Sequence, residues 1–265
     1  MPNSAGRLYG RTIALRRAAA TSARAASRGR TATHSDGGGN PRPIRGSIRS
    51  AAQHRPRAHR HARVTRRSHA ESLLPGKDDI DRCRRCDLGA RATQGVCGEG
   101  NRHAPLMLVG EQPGDQEDRQ GRPFVGPSGV LLRRLMAEAG IDDDGFYLTN
   151  AVKHFSFVVR GTRRIHKTPT QREVAACHDW LDAEIAAVRP RVIVALGATA
   201  LRALAGKSIT IAAAQASAPR HASGIPIVAT FHPSALLRAP DEDAKARMRG
   251  AVVGALRRAR KLASG

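Results

Sequence analysis

Four short runs of apolar residues occur after residue 100 of this chain, and glycine or polar turn residues close each of them. Runs of this length between turn residues predict buried strands. The run at 192–196 holds no polar residue, which is typical of a strand that helices cover on both faces. We therefore predict strands at 107–109, 146–149, 192–196 and 225–229.

Helical patterning separates the predicted strands. Leu131, Leu132 and Leu135 share one face of one segment, and Thr170 with Glu173 forms a capping box at the start of another. We predict helices at 130–139, 170–188, 198–205 and 241–262. This alternation predicts an α/β fold, a three-layer α/β/α sandwich around a four-stranded parallel central sheet.

Polar residues follow three of the four predicted strands. Glu111 comes after the first strand, Asn150 after the second and His232 after the fourth. The carboxyl ends of parallel strands meet at one edge of a sheet, where ligands bind in such folds. Each residue alone is more often a turn former or a cap. An acid, an amide and an imidazole together predict a functional site at this edge.

Positive charge is concentrated at the start of the chain. The formal net charge is +23, and residues 1–77 hold 17 Lys and Arg against two acidic residues. This segment has almost no aromatic residues and no sustained periodicity, so it buries too little apolar surface to offset its chain entropy. We predict a disordered basic extension at 1–77 and a globular domain at 78–265.

The charge balance favours a nucleic acid as partner, although it also promotes solubility and nonspecific binding. The basic extension has three interpretations: a DNA-tethering arm, a targeting segment, or the product of a start codon assigned too early. We favour the last, or a passive tail, because the chemistry predicted below needs none of these residues.

The chain shows no sign of a membrane or secreted protein. No apolar run reaches the roughly 18 residues of a membrane-spanning helix, and the N-terminus lacks the apolar core of a secretory signal. Four cysteines in a chain of this length do not indicate a secreted disulfide framework. We expect a cytoplasmic monomer in which Cys83-x-x-Cys86 is a metal or redox site.

Three segments resemble the motifs of a known family. The segments 110–115, 121–126 and 231–234, with the sequences GEQPGD, GRPFVG and FHPS, are similar to the two motifs of type 4 uracil-DNA glycosylases. Those enzymes usually have a small residue where this chain has Gln112.

Two further segments narrow the resemblance. Together with Gln112, the segments 149–155 (TNAVKHF) and 163–169 (RRIHKTP) resemble the UdgX subfamily of uracil-DNA glycosylase-like proteins, which crosslink to their DNA. The resemblance covers about residues 81–262 and says nothing of the basic extension.

The resemblance implies a site for a uracil base that has left the DNA stack or is already single-stranded, since its glycosidic carbon is otherwise inaccessible. Phe124 would stack on this base; the alternative is a core aromatic residue. The amide of Asn150 matches the N3–H donor and O4 acceptor of uracil. Cytosine reverses that pattern, so it would leave polar groups mismatched.

The resemblance also implies catalytic groups. His232 would donate to uracil O2 and stabilise negative charge as the base departs. Glu111 would orient a water or an imidazole and stabilise a cationic sugar. The alternatives are a turn histidine fixed by Pro233 and a salt-bridge carboxylate. The implied substrate-binding residues are Gln112, Gly114, Asp115, Phe124, Asn150, Arg164 and Ser234.

His166 lies among Arg163, Arg164 and Lys167, in what we predict to be a loop before the helix at 170–188. Positive neighbours disfavour a further positive charge on an imidazole, and a neutral ring has a lone pair that can act as a nucleophile. The resemblance implies attack of His166 on C1′ of the sugar, which leaves the protein covalently attached. Without the resemblance, this segment would be a phosphate-binding basic patch. Beside His166, Arg164 would keep a phosphate-binding or loop-positioning role.

The resemblance further implies a [4Fe-4S] cluster bound by Cys83, Cys86, His154 and Cys177, since type 4 enzymes have a cysteine where this chain has His154. Cys97 is left over. A zinc site made of all four cysteines is the alternative, and spacing alone does not separate the two.

We therefore expect a uracil-DNA glycosylase that acts on uracil-containing, single-stranded DNA and ends covalently linked through His166. The first alternative is a turnover type 4 enzyme that uses Glu111 to activate water. The second is a noncatalytic nucleic-acid-binding module, which charge alone would explain.

Overall fold

The computed structural model describes residues 74–265. The predictions for the basic extension fall almost wholly outside these residues. Within the described residues the first helix begins at Lys77, one residue before the predicted start of the globular domain.

The predicted parallel sheet is confirmed, with one strand added. The strands of the described residues are β1 (Glu99–Gly100), β2 (Leu106–Gly110), β3 (Phe146–Asn150), β4 (Phe157–Arg160), β5 (Arg163–His166), β6 (Val192–Leu196) and β7 (Ile227–Thr230). The main sheet has the order β1-β3-β2-β6-β7. Its four longer strands are parallel, while the two-residue strand β1 pairs antiparallel with β3. The prediction of four strands was therefore one too few, because β1 lacks an apolar run.

Helices cover both faces of this sheet. The α-helices of the described residues are, in chain order, α1 (Lys77–Asp81), α2 (Leu88–Arg91), α3 (Asp115–Gln120), α4 (Pro127–Glu138), α5 (Gln171–Val188), α6 (Ala198–Ala205), α7 (Ile211–Ser217), α8 (Pro233–Leu237) and α9 (Glu242–Ser264). Helix α5 starts with the predicted capping box, since Thr170 accepts from the Glu173 amide and Glu173 from that of Thr170.

The alternation of side chains along the strands divides the core into two layers. Leu106, Leu108 and Val194 face one side and pack with helices α4, α8 and α9. Met107 and Ile193 face the other side and pack with α5, α6 and α7. Both faces of the sheet are thus buried, as the all-apolar strand β6 predicted.

The predicted loop around His166 is a β-hairpin. Strands β4 and β5 pair antiparallel, with Phe157 opposite His166 and Arg160 opposite Arg163. Gly161, with a φ of +58°, and Thr162 form the two-residue turn. This prediction was wrong because each strand has only four residues and arginines interrupt the apolar pattern. His166 therefore lies at a fixed register position instead of in an irregular loop.

Among residues 74–265, no helix combines the length and the apolar character that crossing a membrane requires.

Candidate active site

Glu111 and His166 form the centre of the site at the carboxyl edge of the sheet. Glu111 follows β2, and its Oε1 lies 3.3 Å from His166 Nε2. Its other carboxylate oxygen accepts a hydrogen bond from the hydroxyl of Thr199, near the start of α6. Burial of Glu111 opposes its charge, but the hydrogen bonds from His166 and Thr199 outweigh it and lower the pKa of this carboxyl. The carboxylate is therefore ionised and oriented on both oxygens.

The groups around His166 are not only positively charged, as the sequence had suggested. Its ring nitrogen faces the Glu111 carboxylate, and the nearby guanidinium of Arg164 is balanced by two aspartates. Its side chain is 51% exposed, so a ligand can reach the ring.

His232 is held as a neutral donor. It is the N-cap of α8, and its Nδ1 accepts from the Ser234 backbone N–H at 3.1 Å. A lone pair on Nδ1 places the ring proton on Nε2. Burial away from water lowers the pKa of His232 to about 4, although the negative charge of Glu111 acts to raise it. The ring therefore stays uncharged near neutral pH and offers one N–H to the site. Ser234, which we predicted to bind substrate, sets the tautomer of this ring through its amide.

Asn150 and Phe124 line the same edge. Asn150 ends β3 and is 3% exposed, while Phe124 is 6% exposed. A Cβ atom at Gly110 would overlap Asn150 Oδ1 and Phe124 Cζ, so both side chains lie directly over this glycine. The rings of Phe124 and His232 stack with centroids 6.3 Å apart. The predicted acid, amide and imidazole therefore converge, and Phe124 joins them while it also packs in the core.

Phe124 adopts a strained backbone conformation that the preceding helix supports. Its φ is +54°, in the left-handed region that non-glycine residues rarely occupy. Such strain persists only where the surroundings fix the conformation, and it is frequent at functional sites. Glu117 in α3 supplies this fixation, because its carboxylate accepts from the amides of Gly114 and Gly126 at 3.1 and 2.8 Å.

Arg164 holds the hairpin against α3. Its Nε donates to Asp115 Oδ1 at 2.6 Å and its Nη1 to Asp118 Oδ2 at 2.5 Å. Its guanidinium also lies over the rings of Phe155 and Phe157, 5.5 and 5.1 Å from their centroids. These contacts are those of the loop-positioning role considered for Arg164, while its phosphate-binding role stays a prediction. Asp115, predicted to bind substrate, holds Arg164 through its side chain.

Gln112 holds the other end of the hairpin. Its Nε2 donates to the carbonyls of Ser156 and Lys167, and its Oε1 accepts from the Ser156 amide at 2.8 Å. Ser156 precedes β4 and Lys167 follows β5. Gln112, which we predicted to bind substrate, therefore joins both ends of the hairpin to the turn after β2. Its side chain is buried, with 7% exposed.

The predicted metal ligands lie beside the sheet, around α2 and α5. Cys177 is 2% exposed and packs with Cys86, Leu88 and Val152. Burial raises the pKa of the Cys177 thiol to about 11. The Nε2 atom of His154 is buried without a hydrogen-bond partner among the described residues. A neutral imidazole with an unused lone pair is a common metal ligand.

These donors do not converge as a complete ligand set in the structure. Within residues 74–265, no three His, Cys, Asp or Glu side chains come together in an arrangement that could hold a metal ion. Burial raises the pKa of the Cys97 thiol, and the charged groups that act on it most are Glu184 and Lys153. Burial acts in the same direction on Cys97 and Cys177, so these surroundings do not separate the cluster from the four-cysteine zinc alternative, and the cluster stays a prediction.

Sequence reasoning missed Thr199 as the partner of Glu111 and Glu117 as the support of Phe124. A threonine two residues after Gly197 at the end of β6 was a usable signal, because β6 lies next to β2 in the sheet. The partners of Arg164 and Gln112 had no comparable signal.

Comparison with known protein families matches residues 97–256 to the uracil DNA glycosylase superfamily. The chain is 42% identical over 160 residues to the type-4 uracil-DNA glycosylase of Thermotoga maritima, which covers 60% of this chain and 80% of that protein. It is 36% identical over 177 residues to the type-4 uracil-DNA glycosylase of Archaeoglobus fulgidus, with coverage of 64% and 85%. A type-5 uracil-DNA glycosylase of Pyrobaculum aerophilum is 33% identical over 157 residues, with coverage of 52% and 64%.

The matched region runs from the loop before β1 into α9 and so contains the whole carboxyl edge of the sheet with Glu111, Asn150, His166 and His232. The family match spans more than half of the chain, and the chain covers most of the length of the two type-4 relatives. The chain therefore belongs to the uracil DNA glycosylase superfamily.

Proposed function

We propose that this protein excises uracil from single-stranded DNA and then becomes covalently linked to the sugar through His166. The observation that supports the covalent step is the contact of His166 with Glu111. His166 lies on a hairpin that is fixed at both ends, and Glu111 follows β2. Excision is supported by the family and by the grouping of Asn150, Phe124 and His232. Single-stranded DNA is the favoured substrate because its bases need no unpairing before they enter the site.

Base recognition is assigned to Asn150 and His232. The Asn150 amide has an acceptor for uracil N3–H and a donor for O4. The neutral His232 ring donates its Nε2–H to O2, where negative charge develops as the base departs. Since the pKa of His232 lies at about 4, the ring stays neutral and donates from Nε2 throughout the physiological pH range.

Bond cleavage follows from this arrangement. The bond between C1′ and uracil N1 breaks with its electron pair on the base, so uracil leaves as an anion and the sugar becomes an oxocarbenium ion. The Glu111 carboxylate offsets the charge on the sugar. A lone pair of His166 then forms the new bond to C1′, and the resulting imidazolium cation lies beside the Glu111 anion. No co-reactant is needed, and the total charge is unchanged.

The turnover mechanism is the competing proposal. There Glu111 orients a water that attacks C1′, and His166 is a bystander. The relatives named above are type-4 and type-5 enzymes, and they are compatible with either outcome. The two proposals differ in the product, since only the first leaves DNA bound to protein after denaturation.

The deciding experiment is the intact mass of the protein after incubation with a deoxyuridine oligonucleotide. We expect a mass increase equal to the oligonucleotide minus uracil, and its loss in His166→Ala. The exposed His103 provides a matched control, and His103→Ala should form the adduct at the wild-type rate. Free uracil without any adduct would instead establish the turnover mechanism. No release and no adduct, in protein whose circular dichroism shows an intact fold, would exclude both.

We also propose that Cys83, Cys86, His154 and Cys177 hold a [4Fe-4S] cluster. Three thiolates and an imidazole fit the chemistry of such a cluster, and the orphaned buried Nε2 of His154 supports the assignment. When bound, the cluster would join the segment between α1 and α2 to α5 and so have a structural role. Protein purified without oxygen should contain iron and absorb visible light near 400 nm, as iron–sulfur proteins generally do, at about four iron atoms per chain. Zinc in place of iron, or neither metal, would contradict this proposal.

A further inference from the structure

The face of the hairpin that carries His166 also exposes an apolar side chain. The cross-strand pairs Phe157–His166 and Val159–Arg164 place these four side chains on one face. Phe157 is buried against the protein body, whereas Val159 is 64% exposed. On this face Val159 and His166 are thus open to solvent, whereas Phe157 and Arg164 pack on the domain.

Val159 stands at a defined distance from the reacting position. Two residues along a strand span about 7 Å, so Val159 lies about this far along the hairpin from the Phe157–His166 pair. This spacing is comparable to that between adjacent sugars in an extended single strand. A strand whose sugar reaches His166 therefore brings its next nucleotide close to Val159.

The end of the hairpin also has unbalanced positive charge. Arg160 and Arg163 are exposed, and neither forms an ion pair with any residue of the described part of the chain. Arg164, by contrast, is paired with two aspartates. Residues 157–167 include no acidic side chain. By the register of the pairing, these two arginines lie on the opposite face of the hairpin from Val159. A nucleotide that crosses the end of the hairpin can place its base on Val159 and its phosphates near these two guanidinium groups.

The hairpin is held firmly enough to present these groups. Gln112 joins both of its ends to the turn after β2, and Arg164 joins its middle to α3. Little ordering entropy is lost when a ligand binds to a surface fixed in this way.

We infer that the hairpin binds the nucleotide adjacent to the extracted uridine in single-stranded DNA, with Val159 against its base and Arg160 and Arg163 near its phosphates. This inference rests on the proposed function and names the second nucleotide that the site holds. Every base has an apolar face, so the contact does not require a particular neighbouring sequence. A single strand leaves that face accessible, whereas a duplex keeps it stacked.

The test measures whether contact between Val159 and the neighbouring base contributes to affinity. Oligonucleotides carry a 2′-fluoro deoxyuridine, whose fluorine slows cleavage, and either a normal or an abasic residue on its 5′ or 3′ side. By fluorescence anisotropy, wild-type protein should lose about fivefold in affinity when one of the two neighbouring bases is removed, as expected for one partly buried valine. Val159→Ser should bind the intact oligonucleotide about fivefold more weakly and lose nothing further on removal of that base.

Ile165 provides the matched control. It is 39% exposed and lies on the face of the hairpin opposite Val159, the face that also carries Arg160 and Arg163. Ile165→Ser should therefore keep the wild-type dependence on the neighbouring base. The inference is overturned if Val159→Ser keeps that dependence too, or if wild-type protein has none on either side. A wild-type protein that does not prefer uracil over thymine would overturn the proposed function itself, and this inference with it.

The two arginines are tested by salt. The slope of log Kd against log salt concentration falls by about 0.7 for each phosphate of a single strand that the protein no longer neutralises. Arg160→Gln with Arg163→Gln should reduce the slope by roughly 1.4, while the dependence on the neighbouring base remains. An unchanged slope would overturn the assignment of these arginines.

Discussion

At the scale of single residues, Glu111 depends on a hydroxyl group 88 positions away. Thr199 donates to one oxygen of its carboxylate, and His166 contacts the other. A hydrogen bond to a charged group is worth about 1.5–3 kcal/mol. Thr199 is therefore a positioning residue, which acts on the reaction through the charge and orientation of Glu111.

Thr199→Val should shift the pH dependence of the reaction. The pKa of Glu111 is depressed despite burial, partly by the hydrogen bond from Thr199. The ionised carboxylate is the active form, so the rate is lost as pH falls through this pKa. Removing the donor raises the pKa, so the acidic limb of the rate profile should move to higher pH.

The rate at neutral pH should also fall about tenfold, the equivalent of one charge-assisted hydrogen bond. Single-turnover rates of uracil release between pH 4 and 9 measure both effects, and Thr199→Ser should restore the wild-type profile. A lower rate with an unmoved acidic limb would show that Thr199 only supports the fold.

At the scale of elements, the hairpin formed by β4 and β5 depends on anchors outside itself. An isolated two-stranded hairpin is marginally stable in water. Here Gln112 bonds to the backbone at both of its ends, and Arg164 pairs with a fully buried Asp118. These contacts fix where the hairpin places His166 relative to Glu111.

Gln112→Ala should loosen the hairpin while the domain stays folded. We expect faster amide hydrogen exchange in residues 157–166 and adduct formation slowed by about tenfold or more, because misplacement of a reacting group by about 1 Å has large effects. Exchange mass spectrometry and single-turnover kinetics measure the two effects. Gln120→Ala, at the exposed end of α3, is the matched control and should change neither. Unchanged exchange in the hairpin of Gln112→Ala would contradict this role.

At the scale of the whole molecule, a buried ion pair joins the sheet, α5 and the segment before β1. Lys153 and Glu184 are 0% and 1% exposed, with Nζ and Oε2 2.7 Å apart. Lys153 also donates to the carbonyl of Asn150, and Glu184 accepts from the amide of Gly98. This pair lies directly behind the residue assigned to uracil recognition.

Lys153→Met should lower the free energy of unfolding by about 3–5 kcal/mol, because it leaves the Glu184 charge buried without its partner. Chemical denaturation at neutral pH measures the change. The exposed Lys207 has no ion pair within residues 74–265, so Lys207→Met is expected to change stability by less than about 0.5 kcal/mol. A similar small change for Lys153→Met would show that the pair is not a main source of stability.

Residue patterns alone were enough to predict the four parallel strands, four of the helices that cover them, and the edge where Glu111, Asn150 and His232 meet. Apolar runs and helical periodicity are local signals, and a parallel sheet brings the carboxyl ends of its strands together whatever the loops do. The match to the segments of a known family added the candidate roles.

The surroundings of these residues, by contrast, follow from how distant parts of the chain pack together. Thr199 on Glu111, Asp115 and Asp118 on Arg164, and Gln112 on the hairpin are contacts between residues 44 to 88 positions apart. No local pattern predicts such a pairing, because each partner is an ordinary polar residue in its own segment. The hairpin escaped prediction for the same reason: its strands are too short to be recognised alone, and the side chains that hold it come from the turn after β2 and from α3.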